Sequence, residues 1–140
     1  MDSKTVLGLD VGERRIGVAI GDLEVRVAMP KSVIRRTHIK KDVITVLEEA
    51  KERGVGLVVI GDPLRTDGVE KGDTMARQFA KRIQAEGLEV VLWDERYSTK
   101  AADRLLSHLN GVQKRSGKLD AVAAQWLLQG YLDSLGSRDG

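Results

Sequence analysis

A short, continuous apolar run in the middle of the chain constrains the fold more than any other feature. Residues 55–60 read Val-Gly-Leu-Val-Val-Ile and are followed at once by Gly61-Asp62-Pro63. A strand without a polar side is typical of the centre of a sheet that is covered on both faces. Such a sheet needs helices above and below it, and the flanking sequence must supply them.

The segments around this run predict a mixed α/β domain. Residues 39–53 carry apolar side chains at helical spacing and end at Gly54, and a second helical stripe with Met75, Phe79 and Ile83 ends at Gly87. The other predicted strands are residues 5–10, 15–21, 25–34 and 88–93, and the other predicted helices run from Ser98 through Leu109 and from Asp120 to about Leu135. The order βββαβαβαα predicts a mixed sheet with helices on both faces. Pro30 predicts an edge position or a bulge for the third strand.

Composition limits the class of protein. A chain of 140 residues is expected to form one domain, residues 1–140. It contains no cysteine, which excludes disulfides and thiolate metal sites. We find no signal-peptide pattern and no apolar run of membrane-spanning length, so we expect a cytoplasmic protein without a membrane partner. The net charge of +2 and the pI near 9.0 permit a nucleic acid partner without requiring one.

Three acidic residues spread along the chain are the candidate chemistry. Asp10 ends the first predicted strand, Glu95 follows the strand at 88–93, and Asp120 opens the last predicted helix. Carboxylate oxygens that converge in this way suit hard divalent cations such as Mg²⁺. Each acid also has a simpler interpretation, namely a turn residue, a surface ion pair or a helix N-cap. Asp94 competes with Glu95, because neighbouring side chains on a strand point to opposite faces.

Basic residues and one loop are further candidates for contact with phosphate. The basic residues cluster in two stretches, one with Arg35, Arg36, His38, Lys40 and Lys41 and one with Lys114, Arg115 and Lys118. Either stretch could meet a phosphate backbone, and a solvated surface explains each equally well. In the loop after the central strand, Asp62 could be a fourth metal ligand and Arg65 and Lys71 could contact phosphate, although turn chemistry explains Asp62 more simply.

Other catalytic patterns are missing from the sequence. We find no Walker loop, no Gly-x-Ser-x-Gly, no His-Glu-x-x-His and no zinc spacing. His38 and His108 are isolated, which disfavours acid-base chemistry by histidine. Aromatic content is only 4%, so few side chains are available for base stacking.

Three motifs, in this order, resemble the YqgF family, which is also called RuvX. They are Gly8-Leu9-Asp10-Val11-Gly12 continuing to Arg15-Ile16-Gly17-Val18-Ala19, then Asp94-Glu95-Arg96 with Ser98-Thr99, and then Asp120-Ala121-Val122-Ala123-Ala124 continuing to Leu132. The resemblance covers residues 7–132. Members of this family are named Holliday junction resolvases or pre-16S rRNA nucleases, and the resemblance implies a ribonuclease H-like fold.

The resemblance also implies roles for particular residues. It places the catalytic acids, which are also the metal ligands, on Asp10, Glu95 and Asp120, and so selects Glu95 over Asp94. The basic residues of the motifs fall on Arg15, Arg96 and Lys118, with implied contacts to phosphate or to the acids. The family usually shows Gly-Leu-Pro-Leu-Asn-x-Asp-Gly, whereas residues 61–68 of this chain read Gly-Asp-Pro-Leu-Arg-Thr-Asp-Gly. Asp62 thus replaces the first Leu, and Arg65 replaces the Asn. The extra acid could alter metal number or preference.

Together these observations predict a nuclease that uses one or two Mg²⁺ or Mn²⁺ ions. RNA is the first choice of substrate, with maturation of the 5′ end of 16S ribosomal RNA as the role and pre-ribosomal particles as possible partners. Branched or single-stranded DNA comes second, and resolving a four-way junction would require a homodimer rather than a monomer. A binding protein without activity that assists ribosome assembly is the alternative from another class. We set aside an actin-like sugar kinase, because that fold needs two lobes.

Overall fold

The computed structural model describes residues 3–62, 74–94 and 118–136. Five strands lie at Thr5–Val11 (β1), Arg15–Asp22 (β2), Ala28–Arg35 (β3), Leu57–Asp62 (β4) and Glu89–Asp94 (β5). Three helices lie at Ile39–Glu52 (α1), Met75–Ala85 (α2) and Lys118–Gly136 (α3). The predicted helix from Ser98 to Leu109 lies outside the described residues. All the other predicted elements are confirmed.

The strands form one mixed sheet in the order β3-β2-β1-β4-β5. β1, β2 and β3 are antiparallel neighbours, whereas β4 lies parallel to both β1 and β5. The apolar run is therefore a strand with a neighbour on each side, and its residues from Leu57 to Ile60 are buried. β3 is an edge strand among the described residues, and its pairing shifts register opposite Val18 and Ala19, next to Pro30. The edge position predicted from Pro30 is confirmed.

The side chains of the sheet alternate between two cores. On one face, Leu7, Leu9 and Ile60 pack with α1 and α2. On the other face, Val6 and Val59 pack with Leu128 of α3. Alternation along each strand therefore tells which face a neighbouring position occupies, and this decides how the acids at the strand ends are arranged.

Glycines with positive φ end two helices as predicted. Gly54 has φ of +66° after α1, and Gly87 has φ of +96° after α2. Glycine has no Cβ and adopts this left-handed conformation without strain, which is why it commonly follows the last helical turn. The side chains of His38 and Thr74 accept backbone hydrogen bonds at the starts of the same helices.

The observed elements differ from the prediction at two places. Residues 25–27 belong to the connection between β2 and β3 rather than to β3, because the Asp22 carboxylate accepts the backbone N–H groups of Glu24 and Val25 at 2.8 and 2.7 Å and so stabilises a turn at residues 23–25. These hydrogen bonds lower the pKa of Asp22. Met75 was expected on the buried stripe of α2 but is exposed, because it occupies the first position of the helix.

Asp42 is the one buried charged residue in the described part of the chain. Its carboxylate accepts the Thr37 backbone N–H at 3.0 Å, the Thr37 hydroxyl at 3.1 Å and the Arg36 guanidinium at 3.1 Å. Burial alone would raise the pKa of Asp42, but these hydrogen bonds and the Arg36 charge outweigh it and leave the pKa below its ordinary value. The network ties the start of α1 to the end of β3.

Replacing Asp42 with Ala is expected to lower the free energy of unfolding by about 3 kcal/mol at pH 7, because the largely covered Arg36 side chain would lose its carboxylate partner. The lowered pKa means that the stabilisation is complete above the unfolded-state value of about 3.9 and is lost as the pH falls through the folded-state pKa. The difference between variant and parent should therefore shrink below about pH 4 in urea titrations at several pH values. Glu48→Ala, which removes an exposed acid from the same helix, is the control. Equal losses in both variants would contradict the assignment.

None of the described helices combines the length and the apolar character that a membrane span requires.

Candidate active site

The carboxyl ends of the three parallel strands β1, β4 and β5 lie side by side. They form one edge of the sheet that runs across the strand ends, unlike the edge strand β3. Leu9 of β1 pairs with Ile60 of β4, and Asp62 of β4 pairs with Asp94 of β5. The backbone of Asp10 therefore lies at the same edge as the backbones of Asp62 and Asp94. Ligands of open α/β sheets bind outside the carboxyl ends of strands. This edge is the candidate site.

Asp10 lies on the face of the sheet that α3 covers. Leu7 and Leu9 belong to the core under α1 and α2, so the residues between and after them face the other way. A Cβ on Gly8 would lie 2.8 Å from Leu128 of α3, which confirms the direction. Asp10 has the same parity as Gly8 and is half-buried. The strand continues one residue past Asp10, to Val11.

Gly17 brings the start of α3 to Asp10. It is the cross-strand partner of Asp10, and a Cβ on it would lie 1.8 Å from the Asp120 carbonyl oxygen. Only a residue without a Cβ allows this approach, since real Cβ atoms essentially never come within 3.0 Å of heavy atoms outside their own residue and its chain neighbours. One glycine thus lies between two of the three predicted acids, paired with one and touching the backbone of the other.

Arg15 forms an ion pair with Asp120. Its Nε lies 2.8 Å from Asp120 Oδ2, and both side chains are partly exposed. Asp120 is the third residue of α3, which begins at Lys118, so its simpler interpretation as an N-cap is wrong. An acid in the first helical turn still interacts favourably with the helix dipole. The ion pair agrees with the implied role of Arg15 as a residue that orients the acids.

Asp62 belongs to the opposite face. Its Oδ1 accepts the Thr74 hydroxyl at 3.0 Å, and its Oδ2 accepts Arg77 Nε at 3.2 Å. Both partners belong to α2 or to its N-cap, and α2 packs on the face away from α3. The structure therefore does not support Asp62 as a fourth metal ligand, and its carboxylate stabilises the start of α2 instead.

The remaining predicted site residues cannot be placed. Glu95, Arg96 and Arg65 lie outside the described residues, as do the candidate phosphate contacts Lys71, Lys114 and Arg115. Lys118 begins α3, but its side chain is not described. Within residues 3–62, 74–94 and 118–136, no three acidic or histidine side chains form a group that could hold a metal ion.

Arg36 is a residue near the site whose structural role the sequence did not indicate. Its Nη1 donates to the Gly12 carbonyl at 3.1 Å, and its guanidinium carbon lies 5.4 Å from the centroid of the Phe79 ring. Because Gly12 follows Asp10 by two residues, Arg36 fixes the turn that positions Asp10. In the sequence Arg36 is one cation of a basic stretch, and nothing in its neighbours distinguishes it from Arg35.

Comparisons with known proteins identify the family of this chain. Residues 4–134 match the family model described as RuvX, Holliday junction resolvase. A relative from Mesorhizobium japonicum, named "Putative pre-16S rRNA nuclease", is 41% identical over 99% of this chain and 85% of its own length. A relative of the same name from Thermus thermophilus is 40% identical over 89% of this chain and 93% of its own length.

Solved structures show the fold. The chain resembles the Thermus thermophilus RuvC in complex with a Holliday junction substrate, with a TM-score of 0.57 and 14% identity over 95% of this chain and 96% of that one. It also resembles the Fowlpox virus resolvase bound to Holliday junction DNA, with a TM-score of 0.61 and 13% identity over 94% and 98% of the two chains. The predicted ribonuclease H-like fold is confirmed, and the chain belongs to the RuvX family of nucleases.

Proposed function

We propose that this chain, as a single domain of residues 1–140, hydrolyses phosphodiester bonds with the help of a divalent metal ion and matures the 5′ end of 16S ribosomal RNA in the cytoplasm. The observation that carries the proposal is the contact between Gly17, the partner of Asp10, and the backbone of Asp120. This contact brings Asp10 and Asp120, which belong to distant motifs, to the same end of the sheet. The names of the relatives support the choice of ribosomal RNA precursor as the substrate.

The proposed metal ligands are Asp10, Glu95 and Asp120. The two described members of this set supply only oxygen atoms, which is the donor type that Mg²⁺ and Mn²⁺ prefer. Trp93 packs on the α3 face, where its ring meets Tyr131 edge-on at 5.6 Å. Glu95 rather than Asp94 is proposed as the third ligand because Asp94-Glu95-Arg96 resembles the family motif whose acid falls on Glu95. When bound, one or two such ions would activate water and stabilise the leaving oxygen.

The protein residues would orient the acids and hold the substrate. Arg15 keeps the Asp120 carboxylate directed toward β2 through their ion pair, and Arg36 fixes the turn after Asp10. The fixed positions matter because a misplacement of about 1 Å in a catalytic group can cost about 10²-fold in rate. Arg15, Arg65, Arg96 and Lys118 are proposed to contact phosphate, which would make binding salt-sensitive.

Junction resolution is the second candidate, and the description of the matching family favours it. Cutting a four-way junction symmetrically requires two active sites and therefore a homodimer. An assembly factor without activity would bind RNA through the same residues but would not cut it. The three functions differ in substrate and in the need for a metal, so one panel separates them.

The test is cleavage of a labelled pre-16S leader RNA, an unrelated single-stranded RNA and a four-way DNA junction. Each substrate is incubated with Mg²⁺, with Mn²⁺ or with EDTA, and the Asp10→Asn variant, purified in the same way, controls for contaminating nucleases. Preferred cutting of the leader RNA that EDTA abolishes would support the proposal. Preferred cutting of the junction would support resolution, and binding without any cutting would contradict the nuclease.

A further inference from the structure

Four exposed basic side chains near the candidate site form a surface that we name the basic ridge: Arg14, Arg35, Lys40 and Lys41. Arg14 precedes β2, Arg35 ends β3, and the two lysines lie in the first turn of α1. None of the four forms an ion pair with an acid in the described ranges 3–62, 74–94 and 118–136. Their positive charges therefore face solvent.

The basic ridge begins at the candidate site itself. Arg35 is the cross-strand partner of Arg15, and cross-strand partners share a face, so Arg35 lies beside the residue that binds Asp120. The Arg36 backbone N–H donates to the Arg14 carbonyl at 2.9 Å. This hydrogen bond connects the residue before β2 to the residue after β3, so Arg14 also lies close to Arg35. Neighbouring strands are about 4.8 Å apart, so β3 lies about 10 Å from β1 and Asp10. That is close enough for one bound strand to reach both.

The positions of these charges are unfavourable for the fold. Arg35 lies directly opposite Arg15 in a like-charge cross-strand pair, which is unfavourable in a sheet, and the Arg15–Asp120 ion pair offsets it only in part. Lys40 and Lys41 lie at the N-terminal end of α1, where the helix dipole disfavours cations. A ligand that supplies negative charge would offset these charges, which have no acidic partner in the described chain.

We propose that the basic ridge binds the phosphate backbone of the nucleic acid strand at nucleotides that flank the phosphodiester bond to be cut. This rests on the proposed function, because the ligand is the flanking part of the same substrate. The ridge contains no aromatic side chain, so contact is with phosphates and is independent of base sequence. It lies apart from Arg65, Arg96 and Lys118 in the chain and adds a second contact region to the site.

The test measures binding of a labelled single-stranded RNA by fluorescence anisotropy in EDTA, over a series of salt concentrations. The ridge variant combines Arg14→Ala, Arg35→Ala, Lys40→Ala and Lys41→Ala. The control variant combines Lys4→Ala, Lys51→Ala, Arg53→Ala and Arg82→Ala, which removes the same number of charges from the opposite end of the sheet and its helices. Both variants have the same net charge, so only the position of the removed cations differs. A third variant with Arg14→Lys, Arg35→Lys, Lys40→Arg and Lys41→Arg keeps the charge.

The ridge variant is expected to lower the slope of log K against log salt by about 0.7 for each phosphate that the ridge no longer neutralises, or about 3 in all. Affinity near 0.1 M salt should fall by about tenfold or more, while the control and the charge-conserving variant stay close to the parent. An unchanged slope in the ridge variant, with a melting temperature no lower than that of the parent, would overturn the inference. Because binding is measured in EDTA, this result is independent of cleavage, and a failure of the nuclease proposal would appear separately.

Discussion

Replacing Asp10 with Asn is expected to lower metal-dependent cleavage by about 10³-fold or more, because a metal ion supplies several kcal/mol of transition-state stabilisation and each 1.4 kcal/mol is tenfold in rate. The amide keeps the size and shape of the side chain but removes the negative charge. Asp10 lies at the end of a paired strand, so the backbone hydrogen bonds between β1 and β2 remain. We therefore expect the melting temperature without metal to change little, and single-turnover assays with Mg²⁺ and Mn²⁺ measure the fall in rate.

A second readout separates loss of metal from loss of chemistry. An ion that binds the folded state raises the melting temperature with its concentration, and Asp10→Asn should reduce that rise. Glu89→Gln is the matched control, since it removes an exposed carboxylate at the opposite end of β5. Full activity in Asp10→Asn would contradict the proposed site. Loss of activity with an unchanged metal-dependent rise would contradict Asp10 as a ligand while leaving it a catalytic residue.

The positions of the elements could be predicted from local sequence. The apolar run at 55–60 indicated a central strand, and Gly54 and Gly87 indicated helix ends, because each pattern reflects the residue's own backbone or burial preference. Residues 25–27 were mistaken for strand because an Asx turn at Asp22 depends on side-chain hydrogen bonds. Apolar character alone does not reveal such bonds.

The partners of the acids could not be predicted from the residues alone. Asp62 and Asp120 both looked like local turn or cap residues, yet Asp62 binds Arg77 and Asp120 binds Arg15, which is 105 positions away in the chain. The face of β5 that meets α3 also depends on packing, with Trp93 against Tyr131. Each of these facts follows from how a helix docks on the sheet and not from the sequence around the acid.

Replacing Gly17 with Ala is expected to lower the cleavage rate by about 10²-fold and the free energy of unfolding by about 1–3 kcal/mol. The new Cβ would lie 1.8 Å from the Asp120 carbonyl oxygen and 2.3 Å from its carbonyl carbon. Both atoms are backbone, so no side-chain rotation can relieve the clash, and the start of α3 must move away from β2. Asp120 would then move away from Asp10, although neither acid is changed.

The size of the predicted effect depends on this particular approach and not on adding a methyl group in general. Gly56→Ala is the control, because its Cβ would lie 3.1 Å from the Ser3 side chain at the opposite end of the sheet. It should change activity little, whereas Gly8→Ala, with Leu128 at 2.8 Å, should mainly lower stability. Activity and urea unfolding of the three variants test this order. If Gly17→Ala kept full activity, the approach of Asp120 to Asp10 could not be what assembles the site, and the proposed ligand set would fail with it.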